Sequence, residues 1–160
     1  MHLKKWQKII MSFYKMDKIF YENLKKVAQE DGINRYVVGA VIQRDLFILL
    51  LKRPKEDFMG GIYELPSGKV EDDEALDMAL YREVEEETSL RIREIKRYLG
   101  HFDYESKSGK KTRQFNFAVT VGEPLEVKLQ EHDDFAWVNK YQFHQYPVTD
   151  SVKQILDSFF

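Results

Sequence analysis

The residues best suited to chemistry in this sequence are three carboxylates, Glu83, Glu86 and Glu87, spaced i, i+3 and i+4. On a helix over 73–88 they extend the stripe formed by Leu76, Ala79, Leu80 and Leu90, so that a core-facing surface turns acidic halfway along. No lysine or arginine shares the stripe. Like charges at this spacing repel by several tenths of a kcal/mol per pair when exposed, and by more when partly buried. A bound hard cation relieves that repulsion, because it takes oxygen ligands and favours the ionised carboxylates. No cysteine or histidine accompanies the cluster, so magnesium or manganese suits it better than zinc. The competing reading is a solvated acidic helix end.

The surrounding spacing is more specific. Gly68, five residues, Glu74, seven residues and the run Arg82-Glu83-Val84-Glu85-Glu86-Glu87-Thr88-Ser89-Leu90 resemble the Nudix box, Gly-x5-Glu-x7-Arg-Glu-apolar-x-Glu-Glu-x-Gly-apolar, with only the final glycine replaced, by Ser89. The preceding Tyr63-Glu64-Leu65-Pro66-Ser67 is also similar to the family's approach to the box, and the resemblance covers roughly residues 34–160. It implies a Nudix-like α/β/α sandwich around a mixed β-sheet and a MutT-related pyrophosphohydrolase. Mg2+ or Mn2+ would be held by Glu86 and Glu87, with Glu83 as a further ligand or general base and the Ser67 carbonyl as a further donor. Gly68, Glu74 and Arg82 would support the loop, while Arg53 and Lys69 would meet substrate phosphates. Glu131, Asp133 and Asp134 are alternative sources of the base. Where Ser89 and Ser67 replace glycines of the pattern, a left-handed backbone would cost about 1 kcal/mol, which points to altered loop geometry with the metal chemistry retained.

Hydrolysis of a nucleoside diphosphate linked to another group agrees with these residue types. Attack of water on a pyrophosphate chain needs cations to screen charge and a carboxylate to accept a proton. The expected substrate is a nucleoside triphosphate or a modified one, with an NDP-sugar or another diphosphate as the alternative. No proline lies about fifteen residues beyond Leu90 to mark an ADP-ribose enzyme, and Tyr104 comes early for a dinucleoside polyphosphate enzyme. The rival from another class is a Nudix-fold module that binds nucleotide without turnover. An isomerase of isopentenyl diphosphate on this fold is disfavoured by the lack of cysteine.

The elements that must position the box follow from hydropathy patterning. Arg35–Gln43 and Leu46–Lys52 form two extended runs split by Arg44 and Asp45, which reads as a hairpin. Gly60-Gly61 mark a loop, Ile62–Leu65 a short strand and Pro66-Ser67-Gly68 a turn. The acidic run Glu71–Glu74 favours a helix start near Asp73. Strands follow at 93–104, 112–121 and 135–138, and a last helix after Thr149 or Asp150 buries Val152, Ile155, Leu156 and Phe159. Phe115 and Phe117 alternate toward the core, Trp137 packs there too, and Lys110, Lys111 and Arg113 flank a hairpin turn as solubilising or phosphate-binding cations.

With 160 residues, 43% hydrophobic and 32% charged, the chain suits one α/β domain. Residues 32–160 would form it, and residues 1–31 an amphipathic helical extension that packs on the domain or on a second copy, a homodimer. The first 26 residues carry seven lysines against Asp17 and Glu22, leaving −7 on the rest of a chain of net charge −2. An acidic body disfavours nucleic acid polymers as partners. No apolar run marks a secretory leader or a membrane span, and a cysteine-free chain accords with the cytoplasm.

Overall fold

The computed structural model describes residues 16–160. The helix expected from Leu3, Trp6, Ile9, Ile10 and Phe13, and any dimer contact through it, lie outside the described residues.

The apolar run Arg35–Arg44 is strand β1 and Phe47–Lys52 is β2, joined as the expected hairpin through Asp45, whose φ is 54°. Their side chains alternate between two cores. Val38, Ala40, Ile42, Leu49 and Leu51 enter one, while Val41, Ile48 and Leu50 enter the other. Strands covered on both faces read as continuous hydrophobic runs, as these do. The first core is closed by α1 (Lys18–Glu30) and by the box helix, called α2 (Leu76–Thr88). The second is closed by α3 (Asp150–Phe159). Helix α1 is capped by Asp17, which accepts the Phe20 N–H at 3.0 Å, and α3 by Thr149, which accepts the Val152 N–H at 3.3 Å. Tyr21 of α1 packs against Phe117, their ring centroids 5.8 Å apart.

Seven strands form one mixed sheet. They include β3 (Tyr63–Glu64), β4 (Ser67–Lys69), β5 (Ile92–Glu105), β6 (Lys111–Val121) and β7 (Asp134–Val138). β1 runs parallel to β6, and β6 antiparallel to β5. β1 and β2 pair only near their hairpin, through Gln43↔Ile48 and Arg44↔Phe47, and then diverge. The freed edge of β1 takes up β4, with Val38 opposite Gly68 and Gly39 opposite Ser67. β2 meets β3 on Leu51↔Glu64 and β7 along Ile48–Lys52. The β1/β2 divergence therefore seats the approach to the box.

Four expectations need correction. Ser67-Gly68 belongs to a strand, because the exposed backbone groups of β1 require partners there. α2 begins at Leu76 rather than Asp73: Asp73 is left-handed at φ 62°, and Glu74 turns its carboxylate back to the Glu71 N–H at 3.0 Å, so the acidic run forms a turn ahead of the helix. Arg113 is no solubilising edge cation, being 5% exposed and bonded to Asp103 at 2.7 Å and to Asp31 at 3.0 Å. Ser67 lies in the strand and is absent from the left-handed residues.

Ser89 does occupy the left-handed region, at φ 63° and ψ 8°, as the C-terminal cap of α2. Ser89→Gly should therefore raise stability by about 0.5–1 kcal/mol, measured by thermal unfolding. A midpoint at or below that of the parent would show that the Ser89 hydroxyl contact to the Lys128 carbonyl, at 3.4 Å, outweighs the strain.

Candidate active site

Helix α2 brings its acidic end against β4. Leu76, Ala79, Leu80 and Val84 are buried, Glu83 and Glu87 continue inward, and Glu86 sits at the margin with its side chain 59% exposed. The Ser67 N–H donates to Glu87 Oε2 at 3.0 Å, which ties strand to helix. Gly68 lies so close to Glu83 that a Cβ would overlap its carboxyl group. A side chain at 68 is thus excluded by the carboxylate itself.

Arg82 organises the rest. Its Nε and Nη2 grip the two oxygens of Glu74, each at 2.8 Å, and Nη2 also donates to the Lys69 carbonyl at 2.9 Å. This fork ties the loop ahead of the helix to the helix itself. Nη1 then reaches Glu83 at 2.7 Å and Glu86 at 3.2 Å. The sequence pattern did not show this contact: Arg82 lies off the acidic stripe, yet its long side chain crosses onto it. Glu74 is held below the usual carboxylate range by its bonds to Arg82, and Arg82 is itself raised by Glu74.

The buried carboxylates behave differently. Burial pushes Glu87 up to about 8, against the lowering effects of the Ser67 N–H and nearby His132, while Glu83 and Glu64 raise it further. Glu83 is raised by burial despite its bond to Arg82. With Glu83 and Glu86 turned to Arg82, no three acidic or histidine side chains converge as ligands among the described residues. The donor chemistry nevertheless fits a hard divalent cation: every candidate donor is oxygen, and the Glu87 carboxyl, with no cation bonded to it among the described residues, is held protonated by burial until a cation favours its ionised form. Glu86, Glu87 and Glu83 would hold it, with the Ser67 carbonyl alongside.

Breaking the fork should be costly. Arg82→Met leaves Glu74 and Glu83 without their cation and is expected to lower stability by roughly 2–3 kcal/mol, below the effect for a fully buried pair because Arg82 is 26% exposed. Chemical denaturation measures it. An unchanged midpoint would mean that the loop is held by its backbone alone.

The expected substrate contacts are separated. Arg53 follows the last residue of β2, with its N–H on the Ile62 carbonyl at 2.9 Å and its Nε 3.7 Å from Glu64 Oε2. The Lys69 side chain is exposed, in a cleft of about 300 Å³ shared with Lys25, Arg35 and Lys110. Of the loop acids, Asp133 accepts the Lys55 N–H at 3.3 Å and Asp134 the Phe135 N–H at 2.8 Å. Glu131 is exposed. Phe115 and Phe117 are buried core residues, and Trp137 packs against the same core.

Sequence reasoning missed two residues. His132 Nε2 lies 2.8 Å from Glu64 Oε1, within the electrostatic reach of Glu87. A search for metal-ligand histidine spacing passes over a histidine whose partner is a distant carboxylate. The adjacency of His132 to Glu131 and the place of Glu64 just before the box were the available signals.

A mixed sheet between helical layers, with an acidic helix locked to the strand before it, defines a Nudix domain. The NUDIX domain family model matches residues 33–159, and the chain belongs to that family. Over 123 residues it is 31% identical to the CTP pyrophosphohydrolase of Escherichia coli (strain K12), a match covering 77% of this chain and 89% of that one. It is 36% identical over 97 residues to the ADP-ribose pyrophosphatase of Methanocaldococcus jannaschii, covering 52% of this chain and 56% of that one. The crystal structure of a MutT protein from Methanosarcina mazei Go1 superposes with a TM-score of 0.68 at 28% identity, covering 78% and 91% of the two chains. The chain is accordingly an enzyme of the Nudix pyrophosphohydrolase class.

Proposed function

We propose that the enzyme hydrolyses a pyrophosphate bond of a nucleoside triphosphate, canonical or modified, with Mg2+ or Mn2+. The observation that carries the reaction is the carboxylate platform, in which half-buried Glu87 and Glu83 face β4 and Arg82 reaches Glu83 alone of the two among the described residues. The substrate class is supported by the CTP-hydrolysing relative, whose match spans more of both chains than that of the ADP-ribose enzyme.

Divalent cations, when bound, supply screening of the phosphate charge and orientation of the reacting oxygens. Glu83 accepts the proton of the attacking water, since burial raises its proton affinity toward the useful range. Exposed Glu131 is the second candidate base, and Glu83→Gln and Glu131→Gln pH profiles separate them. Arg53 and Lys69 meet phosphate oxygens. Arg82 and Glu74 hold the loop.

A second reading, binding without turnover, is favoured by the contact of Arg82 with Glu83 and Glu86. Incubation with CTP, 8-oxo-dGTP, ADP-ribose, diadenosine tetraphosphate and UDP-glucose in Mg2+, with product analysis, separates the two. The proposal expects a nucleoside monophosphate and pyrophosphate from a triphosphate. Turnover of ADP-ribose or UDP-glucose alone would overturn the substrate class, and thermal stabilisation by a nucleotide without product would establish the binding module.

A further inference from the structure

The carboxylate of Glu64 is divided between two nitrogen-bearing side chains of unequal closeness. Oε1 meets His132 Nε2 at 2.8 Å, whereas Oε2 is 3.7 Å from Arg53 Nε, beyond hydrogen-bonding distance. All three residues gather at the end of β2. Arg53 follows its last residue, β3 places Glu64 opposite Leu51, and the Asp133 N–H donates to the Lys52 carbonyl at 3.1 Å, which seats His132 nearby. Arg53 keeps 30% of its side chain exposed, and its guanidinium makes no hydrogen bond among the described residues.

The His132 side chain is only 7% exposed, and its Nδ1 is buried without a hydrogen-bond partner. Burying an orphan polar atom is unfavourable, so packing alone would be better served by an apolar ring of similar size. The other ring nitrogen makes the short bond to Glu64. The role of the imidazole therefore lies in that bond.

We infer that His132 is a positioning residue for the reaction, keeping Glu64 at a 3.7 Å ion pair with Arg53, short of a hydrogen bond, so that the guanidinium donors stay available to substrate phosphate. Without the imidazole, the freed Glu64 carboxylate closes the gap to Arg53 and forms a fork pair with it, and the arginine no longer offers its donors to an anionic ligand. The effect falls on substrate affinity more than on the chemical step, because Arg53 lies outside the Glu83, Glu86 and Glu87 platform. The inference rests on the reading of Arg53 as a phosphate contact.

The test is a kinetic double-mutant cycle with CTP and 8-oxo-dGTP in Mg2+, using the full chain. It compares Arg53→Met, His132→Phe, His132→Leu and His132→Gln, alone and with Arg53→Met, with thermal midpoints for each. Arg53→Met is expected to raise KM about tenfold. His132→Phe and His132→Leu should raise KM about fivefold or more with a much smaller change in kcat. His132→Gln, whose amide nitrogen takes the place of Nε2, should restore KM to within about twofold, and His132→Phe should add nothing once Arg53 is gone. A full additional loss in the Arg53→Met background, or an unchanged KM in both His132→Phe and His132→Leu beside a raised one in Arg53→Met, overturns the inference alone. An unchanged KM in Arg53→Met, or turnover of neither nucleotide by the parent, overturns the Arg53 reading and the inference with it.

Discussion

Glu87→Gln should lower kcat by roughly 10²–10⁴-fold, since Glu87 is a proposed ligand and losing one removes several kcal/mol from a metal-assisted hydrolysis. The same change should make the metal-free protein less sensitive to pH. Glu87 is pushed up to about 8 from an ordinary 4.5, so the native state keeps a proton that the unfolded chain has released between those values. Its contribution to stability is complete below pH 4.5 and is lost as the pH rises through 8, at a slope of up to about 1.4 kcal/mol per pH unit. Urea unfolding in chelator at pH 5 and pH 7.5 should show a decline that Glu87→Gln flattens. Added Mg2+ should oppose the decline in the parent, because a cation stabilises the ionised carboxylate. Full turnover by the variant, or an unchanged pH slope, would contradict the role assigned to this carboxylate.

Gly68→Ala should reduce kcat by about 10²-fold while changing stability by less than about 2 kcal/mol. Gly68 is not among the residues with positive φ, so alanine is permitted there by the backbone, and the added methyl acts through contact alone. That methyl would overlap the Glu83 carboxyl, which cannot yield without straining its 2.7 Å bond to Arg82. Displacement of the carboxylate proposed as the base by about an ångström is enough for such a loss. Shortening the acid as well, in Gly68→Ala/Glu83→Asp, should recover part of the activity. Equal kcat in the parent and Gly68→Ala would show that Glu83 has no fixed place in the reaction.

Much of this was written in the local pattern. The near-continuous apolar runs of β1 and β2 announce a sheet covered on both faces, and the helix from Leu76 carries its core stripe into Glu83 and Glu87 at regular spacing. The box residues are legible because one helix and the loop ahead of it hold them all. What escaped depends on long-range geometry. β4 exists only because β1 and β2 diverge, which no feature of Pro66-Ser67-Gly68 reveals. Arg82 reaches across the helix surface to carboxylates outside its own stripe, and Arg113 is buried because the cap residue after α1 and strand β5 both offer it an aspartate. His132 and Glu64, 68 residues apart, meet only through the shared pairing of β3 and β7 with β2.

The central claim is that the acidic end of α2 is a metal platform for phosphoanhydride hydrolysis. Its most direct test is Mn2+ binding, followed by electron paramagnetic resonance in the parent, Glu86→Gln and Glu87→Gln, beside CTP and 8-oxo-dGTP hydrolysis in the same samples. Saturable Mn2+ binding by the parent, weakened together with turnover in both variants, is the predicted result. Equal Mn2+ binding in all three proteins, or undiminished turnover in the presence of chelator, would contradict it.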